Sequence, residues 1–344
     1  MNHRVAGSVT ASAFTLAGVL LASLLAWAGT KTATSPRASA PAPVVLTPRG
    51  WERSIYSLDG RFHTSIRDVT FEAPPAYQQS FAFWTGRMKG GQRSELIHLI
   101  TTTREPTEDG SLPFHRQVSR YQLEMYEQGQ MKVPEGALVR GITSLAWEGA
   151  LDASGNVRDV RLVHQPEGLK DNDRLGVQLF GQLFPRLADR REMKVGETLT
   201  DAVAMPMPQR LSITGLEAVG VLTSRRLTLR EVRGAQAIFD LAVSYTADPA
   251  TPPTAPRTIL TIGGEGNGEA AFDLSDGLFI RAKLTSVLVI DIEAPLRRLP
   301  DQPEDIDPGT AKSHIEMSLG ISAQQSLAKL FDGASGSPQA EPQD

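Results

Sequence analysis

The chain contains six histidines, the residue type that most often acts as a general base or a metal ligand near neutral pH. They stand at His3, His63, His98, His115, His164 and His314. No two of them have the H-x-x-x-H or H-E-x-x-H spacing, so the sequence does not predict zinc on one helix face. His98 and His314 fall within alternating segments, and we interpret both as ordinary partly buried or surface side chains.

Two acidic segments contain the carboxylates that a cation site needs. Residues 171–173, Asp-Asn-Asp, begin like a calcium loop, but Leu175 and Gln182 stand where further ligands are needed. We therefore interpret this segment as the cap of a helix. The acidic and proline-rich run over residues 301–307 is interpreted as a solvated loop. We expect no metal site and no cofactor.

Phosphate binding and nucleophilic catalysis have no local signature. Residues 263–268 are rich in glycine, but they lack the Lys-Ser/Thr of a P-loop and no helix pattern follows. A bulged, Gly-rich strand or loop is the prediction there. No G-x-S-x-G elbow occurs, although a triad or a carboxylate pair assembled from distant positions stays open. No catalytic residue is assigned, and a non-enzymatic role is favoured.

An aromatic segment, residues 77–84, precedes a run containing glycines. A core strand that ends in a turn is the prediction, with an aromatic binding lip as the alternative.

Composition excludes several classes of protein. The chain has no cysteine, which excludes disulfides, thiolate metal sites and a lipid-bearing N-terminal cysteine. The formal net charge is -4 and both signs are well mixed, so neither nucleic acid nor an anionic lipid surface is an expected partner. Any stability must come from a packed core.

The N-terminal segment has the character of an export signal. Residues 1–28 contain no Asp or Glu and end in Ala-Trp-Ala after an apolar stretch. We predict a cleaved signal peptide and a periplasmic or otherwise exported location in the bacterial cell envelope. The alternative is an uncleaved N-terminal anchor, which would be the protein's contact with the membrane. A Pro/Ala-rich linker is predicted over residues 29–48 and a disordered tail over 333–344.

The elements that must position any site are mainly strands. From Leu278 to Glu293 every even position is apolar or small, and most odd positions are polar. This period of two extends over about 16 residues, well beyond the about 5–6 residues of a typical strand. It predicts a large, curved antiparallel sheet with one buried face.

Further alternating segments surround this strand. They include Leu96–Thr103, Tyr121–Met125, Leu145–Leu151, Leu227–Leu229, Phe239–Tyr245 and Ile315–Ile321, with turns predicted at residues 128–130, 233–234 and 276–277. Two short helices are predicted to pack on the sheet. One presents Leu175, Leu179 and Leu183, and the other spans Ser322–Phe331.

A weak internal repeat relates two hairpin segments. Residues 149–158 and 269–278 both read as a strand followed by a turn containing Asp and Ser. This suggests two β-rich halves, residues 49–165 and 166–332. The alternative is two ordinary hairpins with common turn chemistry.

One family resembles part of the chain. Phe184-Pro185-x-Leu187 followed by Met193–Thr198, and later Gly266-x-Gly268-x-Ala270, resemble motifs in a family of uncharacterised exported bacterial β-rich proteins and lipoproteins. The resemblance covers about residues 141–293. This chain departs from it with Leu199 in place of the usual aromatic residue and without the lipid-bearing cysteine. The resemblance implies an envelope location and a β-rich fold, and it implies no catalytic residues.

These observations favour a ligand-binding role over catalysis. We expect a mainly β protein that holds a lipid or hydrophobic ligand on its curved sheet. The expected lining residues are Leu175, Leu179, Leu183, Leu284, Leu288 and Ile290. The alternatives are that this face is filled core, that the protein is a scaffold binding other envelope proteins, or that it is a hydrolase with a dispersed site.

Overall fold

Long antiparallel strands make up most of the computed structural model. It describes residues 42–48, 52–132, 136–151, 157–164, 187, 189–211, 216–250, 253, 257–298 and 307–329. The described strands are β1 (Val44–Leu46), β2 (Ser54–Glu72), β3 (Gln92–Thr103), β4 (Leu112–Glu127), β5 (Gln130–Lys132), β6 (Ala146–Leu151), β7 (Val157–His164), β8 (Arg191–Met193), β9 (Thr198–Leu211), β10 (Leu216–Arg233), β11 (Gln236–Ala247), β12 (Ile259–Asp273), β13 (Leu278–Pro295) and β14 (Thr310–Lys329). The described helices are α1 (Pro75–Met88) and α2 (Gly136–Thr143).

Twelve of these strands form one sheet. Its order is β7-β6-β4-β3-β2-β14-β13-β12-β11-β10-β9, and β5 pairs with the end of β4. Every pair is antiparallel. The predicted large antiparallel sheet is therefore confirmed.

The first long strand, β2, pairs with the last strand, β14. Their register runs from Ser54 opposite Lys329 to Glu72 opposite Lys312. Because this pairing lies inside the sheet, the segments before and after residue 165 contribute to one continuous structure. The strand that carries the longest period of two, β13, lies directly beside β14.

One face of the sheet is buried and the other faces solvent. On β13 the even residues from Ala282 to Ala294 are buried, and most odd residues are only partly buried. On β14 the buried residues are the odd ones, from Ala311 to Ala323. We call the buried side the inner face. Its apolar side chains form one contiguous cluster that includes residues of nearly every long strand.

The described helices pack at one part of the sheet, α1 against β2 and α2 against β4. Phe239, Phe272 and Phe279, which lie farther along the sheet on β11, β12 and β13, are also buried. Neighbouring strands of a sheet twist by about 20–25° relative to one another, so twelve strands accumulate a large twist.

The predicted helix over Ser322–Phe331 is wrong over the part that the structure describes. Strand β14 continues to Lys329, and Ala323 keeps the same buried phase as Leu319 and Ile321. Pairing with β2 through Ser326 and Leu327 satisfies this backbone as a ladder. Tertiary pairing thus overrides a short apolar spacing that was also compatible with a helix.

The predicted core strand over residues 77–84 is also wrong, because this segment lies in α1. The helix has proline in its first turn, where the missing N–H breaks no hydrogen bond. Tyr77 and Phe81, four residues apart, lie on one face and pack in a small cluster with Leu296 and Ala311. Tyr77 also donates its hydroxyl hydrogen to the carbonyl of Arg297, 2.9 Å away.

The glycine-rich strand predicted over residues 263–268 is confirmed as part of β12. The predicted turns at Gly129, Gly234 and Gly277 are confirmed as well, and all three glycines have positive φ. Strand β1, which lies within the predicted linker, pairs with β8 and buries Leu46 in the core. The helix predicted around Leu175, Leu179 and Leu183 lies outside the described residues.

No helix among the described residues combines the length and the apolar character needed to cross a membrane.

Candidate functional site

The inner face carries charged and hydroxylated side chains among its apolar residues. On β3 these are Arg93, Glu95 and Thr101, and on β4 they are Arg116 and Tyr121. All five are buried. The strands place them there because their positions share the phase of apolar neighbours: positions 93 and 95 continue the buried series of Ile97 and Leu99. Buried charge is costly unless it is paired, so each group needs an explanation.

Arg93, Glu95 and Tyr121 form a closed hydrogen-bonded triad. The Arg93 Nε atom donates to Glu95 Oε1 in a short contact, and Arg93 Nη2 donates to the Tyr121 hydroxyl oxygen at 3.2 Å. The Tyr121 hydroxyl donates to Glu95 Oε2 at 3.0 Å. The arginine and glutamate side chains are each only 4% exposed. This triad is a neutral, mutually satisfied unit inside the core.

The surroundings shift two pKa values in this triad. Burial raises the pKa of the Tyr121 hydroxyl, and the adjacent Glu95 carboxylate raises it further. Burial alone would lower the pKa of Arg93, but the attraction of Glu95 and Tyr121 outweighs it and the pKa lies above its usual value. Arg93 therefore stays charged and Tyr121 stays neutral.

Arg116 is a second buried cation with different partners. Its Nε atom donates to Thr101 Oγ1 at 2.8 Å, and its guanidinium carbon lies 5.2 Å from the centre of the Phe114 ring. Trp147 lies opposite Arg116 on the neighbouring strand β6 and is buried. Among the residues that the structure describes, no carboxylate lies within ion-pair distance of this guanidinium.

A third polar cluster lies toward the other edge of the sheet. Arg225 on β10 makes a bidentate pair with Asp201 on β9, with Nε–Oδ1 at 2.6 Å and Nη2–Oδ2 at 2.5 Å. The Tyr245 hydroxyl on β11 lies 3.0 Å from Ser286 Oγ on β13, a buried hydrogen bond.

The strand register connects these clusters in one transverse row. Successive Cα partners across eight strands are Asp201, Arg225, Val243, Gly266, Ser286, Leu319, Thr64 and Arg93. A row that is mostly polar or glycine thus crosses a face whose other buried residues are mostly apolar. We call this set of eight residues the polar row.

Glycines on β12 allow the backbone of β13 to approach closely. A Cβ atom at Gly268 would lie 2.0 Å from the Lys283 carbonyl oxygen, and one at Gly264 would lie 2.1 Å from that of Val287. Leu284 and Leu288 are the register partners of Gly268 and Gly264. The glycine-rich run is therefore required by close strand contact, which agrees with the sequence-based rejection of a phosphate site.

The structure brings three of the predicted lining residues together. Leu284, Leu288 and Ile290 lie on the inner face of β13 with exposures of 4%, 0% and 1%, and all belong to the core cluster. Leu175, Leu179 and Leu183 lie outside the described residues. That these three residues on β13 line a ligand is a prediction, and filled core is its alternative.

The outer face has two clefts lined by described residues. One, of about 650 Å³, lies over β9–β12 between small side chains such as Ala202 and Ser244, with Arg226 and Glu265 at its sides. The other, of about 280 Å³, lies over β12, β13, β14 and β2 and contains the His314 Nδ1–Asp291 Oδ1 contact of 2.7 Å. Neither is lined by the leucines on β13 predicted to contact a ligand.

The outer histidines make cross-strand pairs. His98 Nδ1 lies 2.7 Å from Asp59 Oδ1, which repeats the His314–Asp291 geometry. Within the described ranges, no group of three His, Asp or Glu side chains is placed to hold a metal ion. Both histidines lie on the strands that the sequence predicted.

Sequence reasoning missed the buried Arg93, Glu95 and Arg116. A signal was present: Arg116 stands between Phe114 and Val118 at a spacing of two, and both neighbours are buried. Extending the phase of apolar residues through charged positions would have placed these side chains inside.

Comparison with known proteins gives no family. No family model matches the chain, and no curated protein matches it. Solved structures that match include the secretin InvG of the Salmonella SPI-1 type III secretion injectisome, at 9% identity and TM-score 0.16, with 83% of this chain and 61% of that chain covered. The outer membrane protein OprG from Pseudomonas aeruginosa matches at 8% identity and TM-score 0.21, with 80% of this chain and 97% of that chain covered.

The T2SS secretin XcpQ from Pseudomonas aeruginosa matches at 10% identity and TM-score 0.14, with 80% of this chain and 58% of that chain covered. The chain thus spans less than two thirds of either secretin chain. Superpositions with scores this low carry no argument about function.

Proposed function

We propose that this protein is exported to the bacterial cell envelope and binds a lipid or another hydrophobic ligand on the inner face of its sheet, without catalysing a reaction. The observation that carries the proposal is the combination, on one buried face, of a contiguous apolar cluster and charged groups at defined positions. A lipid has the same two parts, an apolar chain and a polar head.

The buried polar groups support this proposal because core packing alone does not require them. Replacing a buried ion pair with apolar residues of similar volume is often neutral or stabilising. The Arg93–Glu95 pair and the part-buried Arg225–Asp201 pair are therefore not needed to fill space on this face. Binding a ligand that has a polar group would account for them.

The export part of the proposal is supported by the sequence. The acid-free, apolar N-terminal segment ending in Ala-Trp-Ala has the features of a secretory signal. The lack of cysteine is compatible with a body that is stabilised by its large core instead of disulfides.

Native mass spectrometry of the purified chain, before and after organic extraction, tests the ligand directly. We expect a bound mass in the range of a lipid that is lost on extraction. We also expect the extracted protein to take up a fluorescent acyl-chain probe saturably. A ligand-free mass together with no uptake of the probe would overturn the proposal.

A matched pair of variants on β13 then locates the binding face. Leu288→Ala removes a side chain from the inner face, whereas Val289→Ala removes one from the adjacent, outward-facing position. We expect only Leu288→Ala to change the affinity for the probe, provided circular dichroism shows that both variants are folded. Equal affinities in both variants would exclude the inner face of β13 as the binding surface.

A scaffold function is the second candidate, and β7 favours it. This strand ends the described sheet order, and its Val160 and Val163 are exposed. An exposed edge strand can accept a strand from a partner. Crosslinking in the envelope through a photoreactive residue at position 160 would capture a partner if this function is correct. Capture that persists when Val163 is replaced by Lys would contradict edge pairing.

A further inference from the structure

Arg116 differs from the other buried arginines of the inner face. Arg93 is paired with Glu95, and Arg225 is paired with Asp201. Arg116 is equally enclosed, with an exposure of 3%, but its recorded partners are a neutral hydroxyl and an aromatic ring. In the part of the chain that the structure describes, it is thus a buried cation without a counter-ion.

The hydrogen-bonding capacity of this guanidinium is mostly unused. A guanidinium has five N–H donors, and the recorded hydrogen bond from Nε to Thr101 uses one. The Nη1–Nη2 edge therefore keeps the pair of donors that fits the two oxygens of a carboxylate. Thr101 accepts the hydrogen bond from Arg116 through its oxygen, so its own O–H remains able to donate to the same anion.

The neighbourhood of Arg116 suits the rest of an amphipathic ligand. Across the sheet its register neighbours on the inner face are Trp147 on β6, Thr101 on β3 and, beyond Thr101, Tyr56 on β2. All are buried, and Phe114 and Val118 lie two residues away on β4. Apolar and aromatic side chains thus surround a single positive charge.

We infer that Arg116, assisted by Thr101, binds the carboxylate of a long-chain fatty acid whose tail lies along the apolar inner face. The inference rests on the proposed ligand-binding function and names the class of ligand. A carboxylate carries one negative charge and balances one buried cation, whereas a phosphate head group carries up to two. The planar carboxylate also matches the guanidinium edge.

Calorimetric titration of the delipidated full chain with hexadecanoic acid and with hexadecan-1-ol tests this inference. The two ligands share a tail and differ in the head group. We expect Arg116→Met to weaken binding of the acid by at least about tenfold, because a buried charge pair loses one partner, and to leave binding of the alcohol unchanged. Arg120→Met, on the exposed side of the same strand, is the matched control and should leave both affinities unchanged.

Three other outcomes overturn the inference in distinguishable ways. If Arg116→Met binds the acid as tightly as the native protein does, the carboxylate anchor is wrong, while the proposed function stands. If the native protein binds neither ligand, the proposed function fails and the anchor fails with it. If hexadecyl phosphate binds through Arg116 more tightly than the acid does, the assignment of a carboxylate is wrong.

Thermal unfolding provides a second measurement, which also shows whether the variant is folded. Ligand-free Arg116→Met should unfold at the same or a higher temperature than the native protein, because a buried cation without a counter-ion has been removed. Hexadecanoic acid should raise the unfolding temperature of the native protein and not that of the variant. If Arg116→Met does not fold, Thr101→Val replaces it, and an unchanged affinity of that variant for the acid would contradict the role of Thr101.

Discussion

At the scale of single residues, Arg93, Glu95 and Tyr121 form a deeply buried, hydrogen-bonded triad of polar side chains. Each member satisfies the other two, so removing one leaves a buried group without its partner. The energetic consequence is asymmetric: the intact triad adds little net stability, but a broken one is strongly destabilising.

Replacing Glu95 by Gln tests this asymmetry. We expect Glu95→Gln to lower the free energy of unfolding by about 3–5 kcal/mol, because the Arg93 cation loses its buried counter-ion. The quantity is measured by urea denaturation. The double variant Arg93→Met/Glu95→Leu should recover much of the loss, since it leaves no uncompensated charge.

Glu269 on the outer face is the matched control. It makes ion pairs with Arg230 and Arg281, but its side chain is 35% exposed. Glu269→Gln should therefore change the free energy of unfolding by no more than about 1 kcal/mol. Equal losses from Glu95→Gln and Glu269→Gln would contradict the role assigned to burial.

Surface carboxylates set the response of stability to acid. Hydrogen bonds from Thr107 and Ser111 lower the pKa of Asp109 to about 2, and a hydrogen bond from Arg230 lowers the pKa of Glu269 below its usual 4.5. A carboxyl group with a lower pKa in the folded state stabilises the fold above its unfolded pKa and loses that contribution as the pH falls.

We therefore expect these carboxylates to contribute a constant stability from pH 7 to about pH 5 and a decreasing one below about pH 4.5. Urea midpoints measured across this range check the expectation. In Asp109→Asn the part of the decrease below about pH 3.8 should become shallower. A variant whose profile superimposes on that of the native protein would show that the Thr107–Ser111 turn does not contribute.

At the scale of elements, the contact between β12 and β13 depends on glycine. We expect Gly268→Ala to destabilise the protein by about 1–3 kcal/mol, because the new Cβ would overlap the Lys283 carbonyl and push the strands apart. Gly263→Ala on the same strand is the control, since nothing lies within 4 Å of its Cβ position. Urea denaturation of both variants measures the difference, and similar losses would contradict the steric explanation.

Strands whose alternate positions are all apolar or small could be predicted from the sequence. Strands with polar residues or glycine at some of their buried positions could not. The run Leu278–Glu293 predicted β13, because every buried position holds an apolar or small residue. Strand β2 went unpredicted, because its buried face includes Gly60 and Thr64 among Leu58, Phe62 and Ile66. Glycine and threonine at these buried positions interrupt the apolar alternation from which strands are predicted.

The two wrong predictions have related causes. Tyr77 and Phe81 are residue types that favour strands, and this preference predicted a strand. Their spacing of four, which fits one face of a helix, was given less weight. Leu327 was assigned to a helix, although it continues the alternation of β14. The buried arginines of β3 and β4 were missed for a third reason: charged residues count as surface in any pattern that relies on hydrophobicity alone.

At the scale of the whole molecule, one continuous sheet joins the first long strand, β2, to the last described strand, β14. Strand β14 pairs with β2 on one side and with β13 on the other. We expect a chain that ends before Thr310 to lose cooperative unfolding, because β2 and β13 would both expose unpaired inner edges. Circular dichroism melts and binding of a dye specific for exposed apolar surface measure this.

Adding a synthetic peptide with the sequence of residues 310–329 to that truncated chain completes the test. Recovery of a cooperative melt would show that β14 acts as the missing central strand. A truncated chain that melts like the full one, without the peptide, would contradict the role of this pairing.

The pairing of β2 with β14 also fixes the order of events when the protein is made. Translation delivers β2 early and β14 near the end, with the chain from Glu72 to Lys312 between them. At about 5–20 residues per second, an open edge of β2 waits on the order of tens of seconds for its partner. An incomplete chain in that state is prone to wrong pairings, so its yield should depend on a chaperone that shields the open edge of β2 until β14 has been delivered.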